Sequence, residues 1–286
     1  MKNAKDDKVK ALFERLKTGV QEIITGGRLE EMARFMARFH KYSFGNILLI
    51  LIQKPDAALC AGYKTWEKMG RHVKKGEKGI AIFAPRTYRK EIVDEETGEV
   101  TDVITGLAGY KIVHVFDVSQ TEGKPLPLPE EPELGDTAAG RDLYGRLLAV
   151  AGELSVAVKT EQIASGARGY ITPDKNEIVL SEDLQGDMRP QVLLHELAHV
   201  LAFRLGEQQR TKKRDAEYVK GEVIAEGAAF IAAARFGLDA GEFSFDYVAS
   251  WAGDAEKVIA WGESVQKVAR ELIDRVEKVS AGKKAA

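Results

Sequence analysis

Apolar residues in this 286-residue chain recur mostly at three- and four-residue intervals, with short stretches of alternation, a pattern that predicts helices interleaved with small sheets. Val9, Leu12, Phe13, Leu16, Val20, Ile23 and Ile24 keep helical spacing until Gly26-Gly27 stops the run. A second helix is expected from Leu29 to His40. Gly79 to Ala84 and Tyr110 to Phe116 read as strands, and Glu91 to Ile104 as a hairpin turning at Thr97-Gly98. Further on, a helix is expected from Ala138 to Leu154. Strands are expected at Val156 to Lys159, Gly169 to Thr172 and Glu177 to Leu180, with a turn at Pro173 to Asn176. The remainder is nearly all helical: about 188–205, 216–236, 246–251 and 254–279, with Gly206 and Gly237 where helix-ending glycines belong.

One segment breaks the pattern. Lys124 to Asp136, KPLPLPEEPELGD, holds four of the eight prolines and reads as a semi-rigid linker. The expected organisation is therefore two domains, 1–128 and 129–286. The first is α+β, and the second is mainly helical with a small sheet. Charge divides at the same place: 22 basic against 17 acidic residues in 1–128, and 20 against 27 in 129–286, so a net −2 conceals +5 and −7 and suggests two different partners. The apolar runs, Ile47 to Ile52 among them, fall far short of the roughly 20 residues a bilayer crossing needs. No membrane partner is expected. The single cysteine, Cys60, excludes an internal disulfide and cysteine-based zinc fingers, and a cytoplasmic location is expected.

Chemistry enters with His195-Glu196-Leu197-Ala198-His199. Residues i and i+4 share a helix face, so both imidazoles can hold one zinc ion (Zn2+), and Glu196 is placed to act as general base on a metal-activated water. A third protein ligand is needed. The other histidines and Cys60 lie in the first domain, so a carboxylate is expected, and the next helix offers Glu222 and Glu226 on one face of an apolar run. Buried carboxylates are costly unless paired or metal-bound. One as ligand and the other hydrogen-bonded to a ligating histidine would satisfy both. The arrangement resembles the gluzincin pattern, which implies Glu222 as ligand and Glu226 as its support. Tyr218, one turn before Glu222, is either an oxyanion-stabilising catalytic residue or a core tyrosine. The hairpin at Tyr170 to Leu180, before the helix of His195 and His199, would by analogy with zincins border a cleft for an extended peptide.

The first domain is dense in cations and aromatics. Residues 60–90 carry nine basic residues against Glu67 and Glu77. Interleaved aromatics suit a cationic groove for single strands, and a solvated face over core aromatics is the alternative. The candidate contacts are Tyr42, Phe44, Lys64, Trp66, Arg71, Lys74, Lys75, Lys78 and Arg86.

The segments YSFGNILLI (42–50), GYKTWEKMGRHVKKGEKGIAIFAP (62–85), HVFDVSQTEGKPLP (114–127) and FDYVASWAGDAEKVIAWGESVQKVARELI (245–273) resemble the ArdC-like antirestriction proteins. The resemblance implies an N-terminal domain that binds single-stranded DNA, a C-terminal zincin-like metallopeptidase domain, and a role in antirestriction. Residues 1–28 are more acidic and helical than the family's opening, so DNA contacts are not expected there. A non-catalytic shield for single-stranded DNA and a regulatory protease that cleaves a repressor are the competing readings. The protein substrate is unknown from sequence.

Overall fold

The structure is a computed structural model that describes residues 2–93, 100–126, 135–164, 166–172, 176–209, 216–238 and 254–284. The chain forms two compact units: residues 1–19 with 45–125, and residues 20–44 with 126–286. The expected α+β class holds.

In the first unit, β3 (Ile80–Val93) and β4 (Val100–Asp117) form a long antiparallel ribbon, and β1 (Cys60–Ala61) pairs with the other edge of β4. Sequence pattern suggests two short strands and a separate hairpin; the structure has one ribbon. Pro85 lacks an amide hydrogen, and the pairing register shifts between Pro85 and Thr87, so the ribbon passes through an irregularity instead of ending. The expected turn at Thr97-Gly98 lies outside the described residues. β2 (Arg71–Val73) and β5 (Thr121–Gly123) pair separately. The first unit's helical parts are residues 2–19 of α1 (Lys2–Thr25), most of α3 (Phe44–Gln53) and the short α4 (Tyr63–Lys68).

The apolar run 47–52 is the middle of α3, and Ile47 to Leu51 are at most 1% exposed. Two amide side chains seven residues apart tie this helix to the open edge of β3. Asn46 donates to Phe83 O (2.9 Å) and accepts from Phe83 N (2.8 Å). Gln53 donates to Ala81 O (2.9 Å) and accepts from Ala81 N (3.1 Å). The amides satisfy backbone groups that a neighbouring strand would otherwise take.

The second unit holds α2 (Leu29–Arg38), α5 (Ala138–Glu153), α6 (Met188–Arg204), α7 (Ala216–Arg235) and α8 (Ala255–Lys284). Its sheet has the order β6-β8-β7, with β6 (Ala157–Glu161) parallel and β7 (Gly169–Thr172) antiparallel to the fully buried β8 (Glu177–Ser181). The expected helix 246–251 and most of the turn 173–176 lie outside the described residues.

The proline-rich segment marks one change of unit, but residues 20–44 belong with the second unit by contact. Leu29, Met32, Phe35 and Met36 give α2 a buried face, and α2 packs on α7. Arg34 lies over the Phe230 ring at 5.5 Å. Gln266 of α8 donates to His40 O at 2.9 Å. A β-carbon at Gly262 would fall 2.2 Å from the Phe44 ring, so α8 accepts Phe44 only because that position is glycine. Among the described residues no helix is long and apolar enough to cross a membrane.

Candidate metal centre

Helix α6 carries Pro190 in its first turn, where a missing amide hydrogen costs nothing, and Arg204 in its last, where a cation suits the helix dipole. Between them His195 and His199 stand one above the other. Their rings meet edge-on with centroids 4.7 Å apart, and their Nε2 atoms are 3.1 Å apart. Helix α7 packs against α6 and brings Glu222 Oε2 to 3.6 Å from His195 Nε2 and 3.5 Å from His199 Nε2. A tetrahedral ion with ligand bonds of about 2.0–2.1 Å has donor atoms roughly 3.3–3.4 Å apart. The three separations bracket that value, and two imidazoles with one carboxylate form a donor set for a divalent metal.

Glu226 is not part of this cluster. It is exposed on the wall of a cleft one turn further on, and among the described residues it has no hydrogen bond to either histidine. The hydrogen bond expected of it is made by Gln208, whose Oε1 lies 3.0 Å from His199 Nδ1. That geometry follows from the end of α6. Gly206 has a positive φ of 75°, and the amides of Glu207 and Gln208 return to Ala202 O, turning the chain back along the helix. Gln208 then lies across Gly221 of α7, where a β-carbon would fall 2.5 Å from its Nε2. Nothing in the spacing of the motif announces this residue; the only sequence signal is the helix-stopping glycine two positions before it.

Glu196 lines the cleft beside His195 and is 7% exposed. Burial pushes its carboxyl pKa up, opposed by the two histidines and reinforced by Glu222. Burial also pushes Glu222 up, but hydrogen bonds with His195 and His199, the His199 charge and the Tyr218 hydroxyl hold it well below the usual carboxylate range. Burial lowers His199, and bonding to Glu222 and Gln208 outweighs it, so the imidazole is raised. Burial raises Glu226. The Tyr218 hydroxyl, one turn before Glu222 on α7, helps hold that carboxylate low.

A cleft of about 440 Å³ opens beside the cluster, lined by His195, Glu196, Val192, Phe230, Glu226 and Arg168 among others. Strand β7 stands at the edge of its sheet. Gly169 at the start of β7 lies against α6, where a β-carbon would be 2.8 Å from Val192 Cγ1 and 3.3 Å from Glu196 Oε1.

The candidate nucleic-acid contacts are placed differently. Trp66 is 0% exposed and donates Nε1 to Phe116 O at 2.9 Å, so it is core and cannot stack on a base. Phe44, 1% exposed, is core as well. Tyr42 is half-buried, edge-on to Phe39 with centroids 6.1 Å apart. Arg71 is spent on the Thr121 hydroxyl and on the carbonyls of Thr121, Gly123 and Lys124, and Lys74 on Ser119 O. Lys64, Lys75 and Lys78 are exposed, and Arg86 lines a separate cleft of the first unit.

Known proteins match both parts of the chain. Residues 2–116 match the family described as "N-terminal domain of anti-restriction factor ArdC", and residues 136–238 match the "Putative metallopeptidase family (DUF6782)". The chain is similar to the uncharacterized protein pXO2-81 of Bacillus anthracis, 26% identical over 87% of this chain and 47% of that protein, so it spans about half the length of that curated relative. It also resembles the metal-free crystal structure of the antirestriction ArdC protein from the R388 plasmid, with TM-score 0.53 and 25% identity over 84% of each chain. The Mn(II)-bound structure of that protein shares the fold, with TM-score 0.56 and 20% identity over 93% of this chain and 98% of that one. Taken together, these matches make the chain similar to ArdC-like proteins, with a segment that matches the ArdC N-terminal domain followed by a segment that matches the "Putative metallopeptidase family (DUF6782)".

Proposed function

We propose that this protein is a zinc-dependent peptidase joined to a single-stranded-DNA-binding domain, acting in antirestriction in the cytoplasm. The observation that carries the peptidase reading is the convergence of three donor atoms, 3.1, 3.5 and 3.6 Å apart, beside a buried carboxylate in an open cleft. His195 and His199 through Nε2 and Glu222 through Oε2 would hold the metal. Two imidazoles and a carboxylate with an open position are a ligand set used by catalytic zinc. When bound, the ion supplies Lewis acidity and makes water acidic enough to attack at neutral pH.

The chain's own residues do the rest. Glu196 takes the proton from the attacking water and delivers it to the leaving amine, and its raised pKa suits both halves of that cycle. Gln208 fixes the orientation of the His199 ring, and Tyr218 holds the Glu222 carboxylate. Among the described residues no strand pairs with the side of β7 away from β8, which leaves main-chain groups there for an extended peptide. The Val192 and Phe230 side chains in the cleft wall offer an apolar surface for a substrate residue.

Support for single-stranded DNA comes from the net +5 charge of residues 1–128 and from the similarity of residues 2–116 to the ArdC N-terminal domain. The direct test is metal analysis of the purified protein together with a proteolysis assay on an unfolded protein substrate, with and without single-stranded DNA. Close to one zinc per chain with chelator-sensitive cleavage is expected. Stoichiometric metal without cleavage under any of these conditions would leave a binding protein.

A further inference from the structure

The first unit contains a cleft of about 960 Å³ between α1 and the β3–β4 ribbon, at the upper end of the roughly 300–1,000 Å³ range of ligand sites. Lys8 and Arg15, two turns apart on one face of α1, line one side, and Arg86, Lys111 and His114 line the ribbon side. No acidic residue among the described ones lines it. Among the described residues, none of the side chains of Lys8, Arg15, Arg86 and Lys111 has an ion pair or hydrogen bond. Cations that line one cleft with no carboxylate of the described residues among them form a field that favours an anion.

The register of the ribbon adds a second feature. Ala81 pairs with His114, Phe83 with Ile112 and Pro85 with Tyr110, so Ala81, Phe83, Tyr110, Ile112 and His114 share one face. Ala81, Ile112 and His114 line the cleft, which puts Phe83 and Tyr110 at its border. Phe13, next to the lining residue Leu12, stacks on Phe83 with centroids 4.2 Å apart and planes inclined by 24°, and Tyr110 sits 5.9 Å from Phe83. Phe13 is 37% and Tyr110 41% exposed. Inorganic phosphate makes no use of such rings, and a duplex keeps its base faces stacked away from them. Unpaired bases on a phosphate backbone match both features.

We infer that single-stranded nucleic acid runs through this α1/ribbon cleft, with phosphates against Lys8, Arg15, Arg86 and Lys111 and bases against Phe13 and Tyr110. The inference rests on the single-strand reading above, and it moves the site away from the Lys64–Lys78 surface and onto the N-terminal helix, where sequence reading expects no contact.

The test is fluorescence anisotropy of the full chain with labelled oligo-dT and with a duplex of equal length, over a range of salt. Wild type binds oligo-dT more tightly than duplex. The triple variant Arg15→Gln, Arg86→Gln, Lys111→Gln loses affinity, and its log–log salt slope falls by up to about two units, at roughly 0.7 per phosphate contact. Tyr110→Leu weakens binding about 5- to 150-fold with the slope unchanged, and Tyr110→Phe binds as wild type. Lys64→Gln, Lys75→Gln, Lys78→Gln loses less than the cleft triple. All three changed positions of the cleft triple are polar, and a circular dichroism melt of each variant separates loss of fold from loss of site. If wild type binds but the cleft triple, folded, binds with unchanged affinity and slope, the cleft is not the site and the single-strand reading survives. If wild type does not bind oligo-dT, both fall.

Discussion

In the second unit two histidines and one glutamate from two helices bring their donor atoms within a few ångströms of one another, whereas the first unit disperses nine basic residues of one 31-residue stretch over a short helix, a short strand, the loop that follows it and a long ribbon. The contrast lies in what folding does to neighbours in sequence. His195 and His199 are separated by about one helical turn, so the helix converts their spacing directly into proximity. The segment from Lys64 to Lys90 passes through α4, β2 and β3, and each change of element redirects the side chains. Trp66 turns inward to the Phe116 carbonyl, Lys74 and Arg71 close onto backbone oxygens, and Arg86 joins cations from α1 and β4. A spacing matched to the period of one element survives as geometry; a local density of one residue type does not.

The largest expected effect tests the convergence of the metal centre. Glu222→Ala removes a charged donor and should reduce metal affinity by more than the roughly 10–100-fold that loss of an outer hydrogen-bond partner brings. Glu226→Ala should stay within a few-fold of wild type, because Glu226 lies outside the donor cluster. Competitive titration against a zinc-binding dye measures both, and the reverse order would transfer the ligand role to Glu226.

On the other side of the comparison, Trp66→Ala should destabilise the first unit by about 3–5 kcal/mol, through the lost packing of a large buried ring. The Phe116 carbonyl also loses its donor. The exposed pair Lys75→Ala and Lys78→Ala should leave the melting temperature almost unchanged. A Trp66 variant that melts like wild type would mean that the ring is at the surface after all.

Gln208→Ala is expected to weaken metal binding by about 10–100-fold, since His199 loses the partner that fixes its ring. Gln208→Glu should restore or exceed wild-type affinity. Unchanged binding in the alanine variant would show that the return of the chain after Gly206 has no bearing on the site.

The smallest effect is a pH dependence. His199 is raised in the metal-free protein, so its stabilising contribution is complete below the unfolded pKa and is lost as pH rises through the folded value. Glu222 is lowered, so its contribution is present above its unfolded pKa and is lost as pH falls through the folded value. The pair therefore stabilises the metal-free protein most between the ordinary carboxylate and imidazole values, about pH 4.3 to 6.5. Metal binding requires neutral imidazole, so affinity should fall as pH drops through the raised His199 value, with proton uptake on metal release. Thermal melts of metal-free wild type and Glu222→Gln, run across pH, check the first statement. Calorimetry in buffers of different ionisation heat checks the second. A metal affinity independent of pH would contradict the assignment of His199.

Much of this was legible before the fold was known. Helices over 29–38, 138–153, 188–204, 216–235 and 255–284 follow from apolar spacing, because each has one face against a core and caps or glycines at its ends. Helix α3 was less legible: its middle is apolar on every side, so it has no periodicity to read, and only the amides of Asn46 and Gln53 reveal its partner. The two-residue β1 and the three-residue β2 and β5 are too short to leave a pattern. The second unit's claim on residues 20–44 was hidden because it depends on α7 and α8, more than 170 residues away. In the site, the motif and the Glu222 helix were readable from helical pitch. Gln208, Arg168 and the α1/ribbon cleft arise from turns and register that join distant segments.

The central claim is that Glu196 acts as a base beside the metal and not as one of its ligands. Glu196→Gln keeps the side chain's size and its hydrogen bonding while removing its ability to take a proton. Metal content and peptide cleavage, measured on the same preparation, decide the matter. About one zinc per chain, as in wild type, and cleavage reduced to background are expected. Loss of the metal from this variant, or cleavage that persists at the wild-type rate, would contradict it.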